Sequence, residues 1–507
     1  MDYHDSSQLL WLFQDYLNTI IYNCFKRSNS KAQIFILVKN YILHLIFLLG
    51  PNKSVFIAID GIPPLGKIKQ QALRRQNSTK LINGMDINMI TPGSEFFNEF
   101  NLKLHEFAKT ESCLKNEDFN IVVSDSLESG EGEQKIMNYL KKIQNSQNLT
   151  DKSIIYSVDA DIIVMSLILS NNVELIRERN HFHQKHFNYQ RQDFQKLQFE
   201  LLNINQLKIQ LTCSFQKVKR DNALKDLCLL FIILGNDFLP SPELFNSNIT
   251  TDFIHIIQTS LVEFYNNITE KDTINHLILE SSINNSNDYE INYLGLIDYF
   301  QILSKFQFEQ FKKDYPSKSD YLKQRILELE FSNLLSLKEK KIQIQKSIQG
   351  IELERFKEWR LLYYKKKNQY GSSISNPQNS KFKILTNEYF VRLNWVFKYY
   401  VNGCIDNGDW IFDYDYVPMI SDLLENYQYS DMDEFKKHIL NANIDLNITP
   451  EIHLALVLPS KSTKLLPEKY QNDSKLERYN NENFVDLNYK KILDIVIYLQ
   501  KKKKKLK

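Results

Sequence analysis

The sequence predicts an α/β fold, in which helices flank a mainly parallel sheet, followed by a mostly helical second region. The sheet is predicted by short β-branched runs at residues 54–60, 120–124 and 153–158, each of which ends at or just before an acidic residue. Helical patterns such as residues 133–145 follow these runs, and this alternation is typical of parallel strands covered by helices. Helical patterns from residue 292 onwards predict the second region.

The length of the chain and its changes in composition predict the domain organisation. The 507 residues suffice for two or three domains. We expect a first domain at 1–265, a polar linker at 266–291, a helical region at 292–475, and a C-terminal helix with a lysine-rich tail at 476–507. Residues 181–198 are polar and indicate an insert. The five lysines at 501–505 are typical of a solvated, disordered tail, and otherwise of a localisation signal or a nucleic-acid-binding arm.

The composition is that of an ordinary globular protein and excludes some classes of site. The net charge is only +2, so any binding of nucleic acid has to come from local basic patches. The five cysteines form no CxxC pair, which argues against a zinc site and a disulfide framework and favours a reducing compartment.

One apolar stretch, residues 32–50, has nearly the length of a membrane span. Lys39, Asn40 and His44 lie in its middle, where charged and polar groups are costly in lipid. Residues 1–8 are polar and do not resemble a signal peptide. We therefore predict a buried core helix and expect no membrane partner.

Acidic residues recur at the ends of the apolar runs and carry the functional prediction. Buried carboxylates are costly unless cations neutralise them, and Mg²⁺ prefers oxygen ligands. Two such ions serve the attack of water on a phosphodiester, so the pattern predicts a metal-dependent nuclease. The alternative for the Asp residues is that they cap helix N-termini. The alternative for the Glu residues is that they interact favourably with the helix dipole near a helix N-terminus. The candidates are Asp60, Glu131, Glu133, Asp159, Asp161 and Asp237.

A second candidate site follows Asp60 on a predicted helix. Lys67, Gln71, Arg74 and Arg75 share one face at helical spacing. Such a concentrated set of donors suits a terminal phosphate. The alternative is a solvated basic face.

Seven segments together resemble the XRN family of 5′-to-3′ exoribonucleases. They occur in the order of the family and extend over most of residues 12–475. The segments are 58–75, 88–96, 122–137, 156–167, 234–240, 393–423 and 454–467.

This resemblance implies a PIN/5′-nuclease-like α/β domain and a helical second region packed around the active site. It implies that the six acidic residues bind catalytic Mg²⁺ or Mn²⁺, as two ions, and that Lys67, Gln71, Arg74 and Arg75 bind a 5′-monophosphate. Trp410 corresponds to a tryptophan against which the first nucleotides stack, and stacking tolerates any base.

The N-terminal segment departs from the family pattern. It opens MDYHDSSQ and lacks the family's Met-Gly-aliphatic-Pro-aromatic start, from which we expect a shortened N-terminus or an internal start. Asp15, expected as a further metal ligand, lies one residue too far from Asn18, although a bulge would restore its direction. Tyr22 lies near the position of a stacking histidine. We expect no counterpart of the long C-terminal extension that the large cytoplasmic members of the family carry.

Together these features predict a metal-dependent 5′-to-3′ exoribonuclease that degrades single-stranded, 5′-monophosphorylated RNA to nucleoside 5′-monophosphates. One alternative is a flap-endonuclease-like 5′ nuclease on DNA. The absence of glycine between Gly235 and Gly295 disfavours its helix-hairpin-helix. Another is a catalytically impaired RNA-binding homologue. We expect a monomer in the cytoplasm. A nuclear location is the alternative, because the lysine run is also typical of a localisation signal.

Overall fold

The computed structural model describes most of the chain, and the statements below concern that part. Asp15, Tyr22 and nearly all of the predicted insert at 181–198 lie outside it. The described residues are 8–12, 28, 30–77, 81–112, 119–146, 152–157, 159–169, 172–179, 198–242, 250–267, 276–281, 288–314, 353–360, 363–364, 380–403, 410–427, 446–481 and 488–505.

A six-stranded sheet forms the centre of the first domain, with the order β5-β2-β1-β6-β7-β8. Four of its pairings are parallel, and the pairing of β7 with β8 is antiparallel. The strands in chain order are β1 Gln8–Leu12, β2 Ser54–Ala58, β3 Leu81–Ile82, β4 Met85–Asp86, β5 Asn120–Ser124, β6 Lys152–Tyr156, β7 Asn172–Glu178, β8 Phe199–Asn203, β9 Ile278–Ser281 and β10 Asp288–Ile291. The strands expected from the β-branched runs are present as β2, β5 and β6, whereas the antiparallel edge strand β8 was not predicted.

Helices cover both faces of this sheet and make up nearly all of the second region. Those of the first domain are α1 Lys31–Leu49, α2 Leu65–Asn77, α3 Glu95–Ser112, α4 Gly132–Ser146, α5 Ala160–Ser166, α6 Ile204–Thr212, α7 Arg220–Ile233 and α8 Thr250–Asn267. The later ones are α9 Tyr293–Asp314, α10 Ser380–Asn402, α11 Ile420–Asn426, α12 Pro450–Val457, α13 Glu468–Gln471, α14 Ser474–Asn481 and α15 Tyr489–Lys505.

Alternate residues of β2 enter two different cores. Val55 and Ile57 pack with α1 and α3 on one face of the sheet. Phe56 and Ala58 pack on the other face with α4, in a core that continues into α9 and α10 of the second region. This alternation is what a strand buried on both faces requires. A third core joins α2 to α12 and α15.

The apolar helix α1 packs against the sheet, as predicted. Seven of its side chains are buried, and they share a core with Val55 and Ile57. Lys39 forms an ion pair with Glu111 at 3.2 Å, which neutralises the charge in the middle of α1. Among the described helices, α1 is the one with the length and hydropathy of a membrane span, and burial against the sheet accounts for that composition.

Two segments differ in detail from the expectations for linker and tail. Within residues 266–291, β9 and β10 form an antiparallel hairpin, and the Ile291 amide donates to Asn394 of α10 at 3.0 Å. The lysines at 501–505 were expected to be disordered but continue α15, because Ile492 and Val496 anchor that helix in the third core. The domain boundaries themselves stay a prediction.

Gly93 packs closely against the start of α12 in the second region. Its φ is +90°, and a Cβ there would lie 2.3 Å from the Pro450 carbonyl oxygen at the start of α12. A side chain at this position would therefore have to displace backbone.

We expect Gly93→Ala to lower the unfolding temperature more than Gly50→Ala. The first change adds an overpacking cost of about 1–3 kcal/mol to the left-handed strain of about 1–2 kcal/mol. Gly50 has a φ of +56° and no atom within 4 Å of its ideal Cβ. Gly50→Ala would therefore add the left-handed strain without any overpacking. Equal decreases in thermal unfolding would contradict the close contact between Gly93 and α12.

Candidate active site

Five of the six predicted acidic residues lie where strands of the sheet end or helices begin, and the sixth, Asp237, lies in the loop after a helix. Asp60 follows β2, Glu131 and Glu133 flank the first residue of α4, and Asp237 follows α7. Asp159 is the N-cap of α5 and accepts from the amide of Asp161 at 3.1 Å. The capping alternative therefore holds for Asp159. In open α/β sheets the carboxyl edge of the strands is where ligands bind.

The loop that carries Asp60 is bonded directly to the loop that carries Glu131. The Gly61 amide donates to the Gly130 carbonyl at 2.8 Å, and the Gly130 amide donates to the Ile62 carbonyl at 2.9 Å. Asp60 Oδ1 accepts from the Gly132 amide at 2.7 Å. Only glycine fits at position 61, because a Cβ would lie 1.7 Å from the backbone oxygen of Glu128.

Lys67 of α2 lies among the carboxylates. Its ammonium is 2.8 Å from Glu131 Oε1 and 2.5 Å from Asp237 Oδ2. Burial alone would lower the pKa of Lys67, but Glu131, Glu133 and Asp237 together raise it well above its ordinary value. The lysine therefore stays charged and links two of the acidic motifs.

The remaining carboxylates repel one another. Burial, then the neighbouring Asp159, raises the pKa of Asp161 to about 6, against the opposing effects of Tyr400 and Lys67. Burial also raises the pKa of Asp60, and Glu131 raises it further. The groups thus share one region with an excess of negative charge.

This donor set suits a divalent cation, since carboxylate oxygens are the ligands that hard ions prefer. Within the described part of the chain, the side chains as they stand do not converge as three or more His, Cys, Asp or Glu ligands on one point. The ammonium of Lys67 lies between Glu131 and Asp237 and is the cation that these two carboxylates share.

Gln71 and Arg75 form a second polar group one helical turn further along α2. Arg75 Nε donates to Thr91 Oγ1 at 2.9 Å, and Arg75 Nη1 lies 3.4 Å from Gln71 Oε1. Burial, then Arg74, lowers the pKa of Arg75 to about 9. In the described residues no carboxylate forms an ion pair with Arg75, so this partly buried cation suits an anionic ligand. Arg74 is exposed.

His453 of α12 was not predicted and orients Gln71. Its Nε2 lies 3.0 Å from Gln71 Oε1. Burial, then Arg75, lowers the pKa of His453 to about 3, so the ring is neutral, and its Nε2 hydrogen-bonds to the side-chain amide of Gln71. A histidine in an otherwise apolar helix was the signal in the sequence, but nothing local showed its partner.

Two tyrosines and a lysine close to the acidic residues were also not predicted from the sequence. Tyr399 donates to Glu131 Oε2 at 2.7 Å, and Tyr400 donates to Asp161 Oδ2 at 2.8 Å. Lys135 donates to the carbonyl oxygens of Ile59 and Asp125, each at 2.7 Å, and burial lowers its pKa to about 8.

Trp410 is enclosed by side chains of the second region and of the loop after α7. Only 2% of its surface is exposed. Trp395 lies edge-on to it at 5.0 Å between ring centroids, Phe238 lies at 6.1 Å, and the Arg392 guanidinium is 4.6 Å from its ring. Its role in nucleotide stacking stays a prediction, as do the roles of Asp15 and Tyr22.

Comparison with known proteins identifies both regions. The family model described as the XRN 5′-3′ exonuclease N-terminus matches residues 4–85 and 78–179, and the Xrn1 helical domain matches residues 314–499. A solved structure, the catalytic core of Rad2 in complex with DNA substrate, has a TM-score of 0.30 and 16% identity over 67% of this chain and 78% of that one. A similarity of that size supports no conclusion about this chain.

Curated relatives match across nearly the whole chain. The 5′-3′ exoribonuclease 1 of Saccharomyces cerevisiae is 24% identical over 90% of this chain, and that of Schizosaccharomyces pombe is 24% identical over 90%. The human 5′-3′ exoribonuclease 1 is 24% identical over 94% of this chain. The matches cover only 38%, 42% and 30% of those relatives. Because the two family models together match more than half of the residues, the chain belongs to the XRN 5′-3′ exonuclease family.

Proposed function

We propose that this chain is a divalent-metal-dependent 5′-to-3′ exoribonuclease that degrades single-stranded, 5′-monophosphorylated RNA to nucleoside 5′-monophosphates. The observation that carries the proposal is the carboxylate cluster linked by Lys67, one helical turn from the buried Gln71 and two turns from the partly buried Arg75. The yeast and human relatives, each named 5′-3′ exoribonuclease 1, support the same activity. We further propose a PIN/5′-nuclease-like fold for the α/β domain, a monomer, and a cytoplasmic location.

Two Mg²⁺ or Mn²⁺ ions are the proposed cofactors. The residues that would hold them are Asp60, Glu131, Glu133, Asp159, Asp161 and Asp237, together with Asp15. When bound, the ions supply an activated water and stabilise the charge that develops on the leaving oxygen. The carboxylates act as ligands, and none needs to act as a general base.

The helix α2 would set the distance between the 5′ phosphate and the site of cleavage. Lys67, Gln71 and Arg75 recur at intervals of four residues, each about 6 Å along the helix axis. A 5′ phosphate bound by Gln71, Arg74 and Arg75 would therefore bring a bond near the end of the strand to the carboxylates. This short spacing favours removal of single nucleotides over internal cleavage. Lys67 would contact the phosphate from the carboxylate side.

The nature of the 5′ end should decide the rate of degradation. With Mg²⁺, we expect RNA with a 5′ monophosphate to be degraded to mononucleotides faster than RNA with a hydroxyl, triphosphate or cap. EDTA should stop the reaction. The measurement is mononucleotide release from one labelled RNA with each end, with single-stranded DNA in parallel. Equal rates on all four ends, or a preference for DNA, would contradict the proposal.

Asp159→Asn should slow this reaction by more than about 100-fold, the upper end for loss of an outer-shell partner of a metal ligand. Asn is as good an N-cap as Asp, so α5 should keep its start. Single-turnover degradation is the measurement, and an unchanged unfolding temperature is the control. An unchanged rate above that of a protein-free control would contradict the role of Asp159, and a wild type that degrades RNA no faster than this control would favour the alternative of a catalytically impaired RNA-binding homologue.

Arg75→Gln should reduce the preference for a 5′ monophosphate over a 5′ hydroxyl, because it removes the partly buried cation. The matched control is Lys69→Gln, which removes one charge from the same helix about 120° around its axis from Arg75. The ratio of kcat/KM for the two RNAs is the measurement. A similar ratio in both variants would place the phosphate site elsewhere.

Gly61→Ala should weaken binding of Mn²⁺, because a Cβ would force apart the loops that carry Asp60 and Glu131. The control is Gly295→Ala, where a Cβ would lie 2.8 Å from the His276 carbonyl oxygen, away from the carboxylates. Both changes should lower the unfolding temperature, but only Gly61→Ala should change Mn²⁺ binding followed by electron paramagnetic resonance. Loss of binding in both would indicate a general effect of destabilisation.

A further inference from the structure

The end of α10 brings two neighbouring phenol groups to two different acidic motifs. Tyr399 donates to Glu131 Oε2 at 2.7 Å, and Tyr400 donates to Asp161 Oδ2 at 2.8 Å. Consecutive residues of an α-helix point about 100° apart, so adjacent side chains can reach carboxylates that lie on either side of the helix end.

Several contacts hold this end of α10 in place. The helix ends at Gly403, whose φ is +67° and whose Cβ, if present, would lie 2.0 Å from Asn138 Oδ1 of α4. Lys141 of α4 donates to the carbonyl of Val401. Because α4 begins between Glu131 and Glu133, the tyrosines are fixed relative to the same helix that carries those carboxylates.

Aromatic packing fixes the ring of Tyr399 as well. It stacks on Trp395 with centroids 5.1 Å apart and planes 13° apart, and Phe238 lies edge-on at 5.3 Å. Phe238 directly follows Asp237 in the chain, so the ring of Tyr399 also contacts the segment that carries the third acidic motif. A ring held in this way presents its hydroxyl in one direction only.

The hydrogen bonds leave each carboxylate a defined orientation. Glu131 bonds Tyr399 through Oε2 and Lys67 through Oε1, while Asp161 bonds Tyr400 through Oδ2. Partners that orient ligand side chains in this way typically change metal affinity or activity by about 10–100-fold when they are removed. Burial, then Glu131 for Tyr399 and Asp161 for Tyr400, raises the pKa of both phenols well above the ordinary value, so they remain neutral donors.

We propose that Tyr399 and Tyr400 are positioning residues, which hold Glu131 and Asp161 in the orientation that binds divalent cations. The helical region then contributes to cation binding at the acidic site. This inference rests on the proposed function for the identity of the cation, but its test does not depend on RNA degradation.

The test compares Tyr399→Phe, Tyr400→Phe and the wild-type chain. The control is Tyr389→Phe, a buried tyrosine on the same helix whose hydroxyl is bonded to none of these carboxylates. Binding of Mn²⁺ is measured without RNA by electron paramagnetic resonance. We expect each of the first two variants to bind Mn²⁺ about 10–100-fold more weakly, and Tyr389→Phe to bind it as the wild type does.

A second readout separates positioning from general destabilisation. In the RNA assay, the Mg²⁺ concentration for half-maximal rate should rise in Tyr399→Phe and Tyr400→Phe, while KM for RNA at saturating Mg²⁺ stays unchanged. Tyr399→Phe should cause no further loss of Mn²⁺ binding in a Glu131→Gln background, because the two groups act through one interaction.

Unchanged Mn²⁺ binding in both phenylalanine variants would overturn the inference, and so would a wild-type chain that binds no Mn²⁺. If the wild type binds Mn²⁺ and the variants bind it weakly, but no RNA is degraded, the positioning role stands and the proposed exoribonuclease activity fails.

Discussion

The carboxylates at one edge of a buried sheet are the constraint on which the rest of the structure depends. Burial and mutual repulsion raise the pKa of Asp60 and Asp161, so the folded chain has to neutralise or orient each group. Lys67 does this by linking Glu131 to Asp237, and backbone amides and phenols bond the others. Such an arrangement has a free-energy cost that carboxylates on the surface would avoid. Clustered carboxylates with shifted pKa values are typical of a functional site.

The helical region takes part in this arrangement. Tyr399 and Tyr400 of α10 bond two acidic motifs, and His453 of α12 bonds Gln71 beside Arg75. The close approach of Gly93 to the start of α12 fixes that helix against the first domain. The acidic residues thus have two partners from the second region, and Gln71 beside Arg75 has one. Residues from both of the regions that the two family models match meet at the candidate site.

Local patterns in the sequence were enough to predict β2, β5 and β6, the helix α2 and the position of five acidic residues near strand ends or helix starts, because each depends on residues close together in the chain. The functional roles of these residues stay predictions. The partners of those residues could not be predicted in the same way. Tyr399 is 268 positions from Glu131, and His453 is 382 positions from Gln71. The expectation of a disordered lysine tail was wrong because apolar residues earlier in α15 extend the helix through the run.

The central claim is that this acidic edge binds divalent ions beside a site for a 5′ phosphate. Its most direct test is anomalous diffraction from crystals of the full chain soaked with Mn²⁺ and a short 5′-phosphorylated oligoribonucleotide. The account predicts manganese peaks among Asp60, Glu131, Asp161 and Asp237, with the 5′ phosphate against Gln71 and Arg75. Manganese bound only elsewhere, or a 5′ phosphate remote from α2, would contradict it.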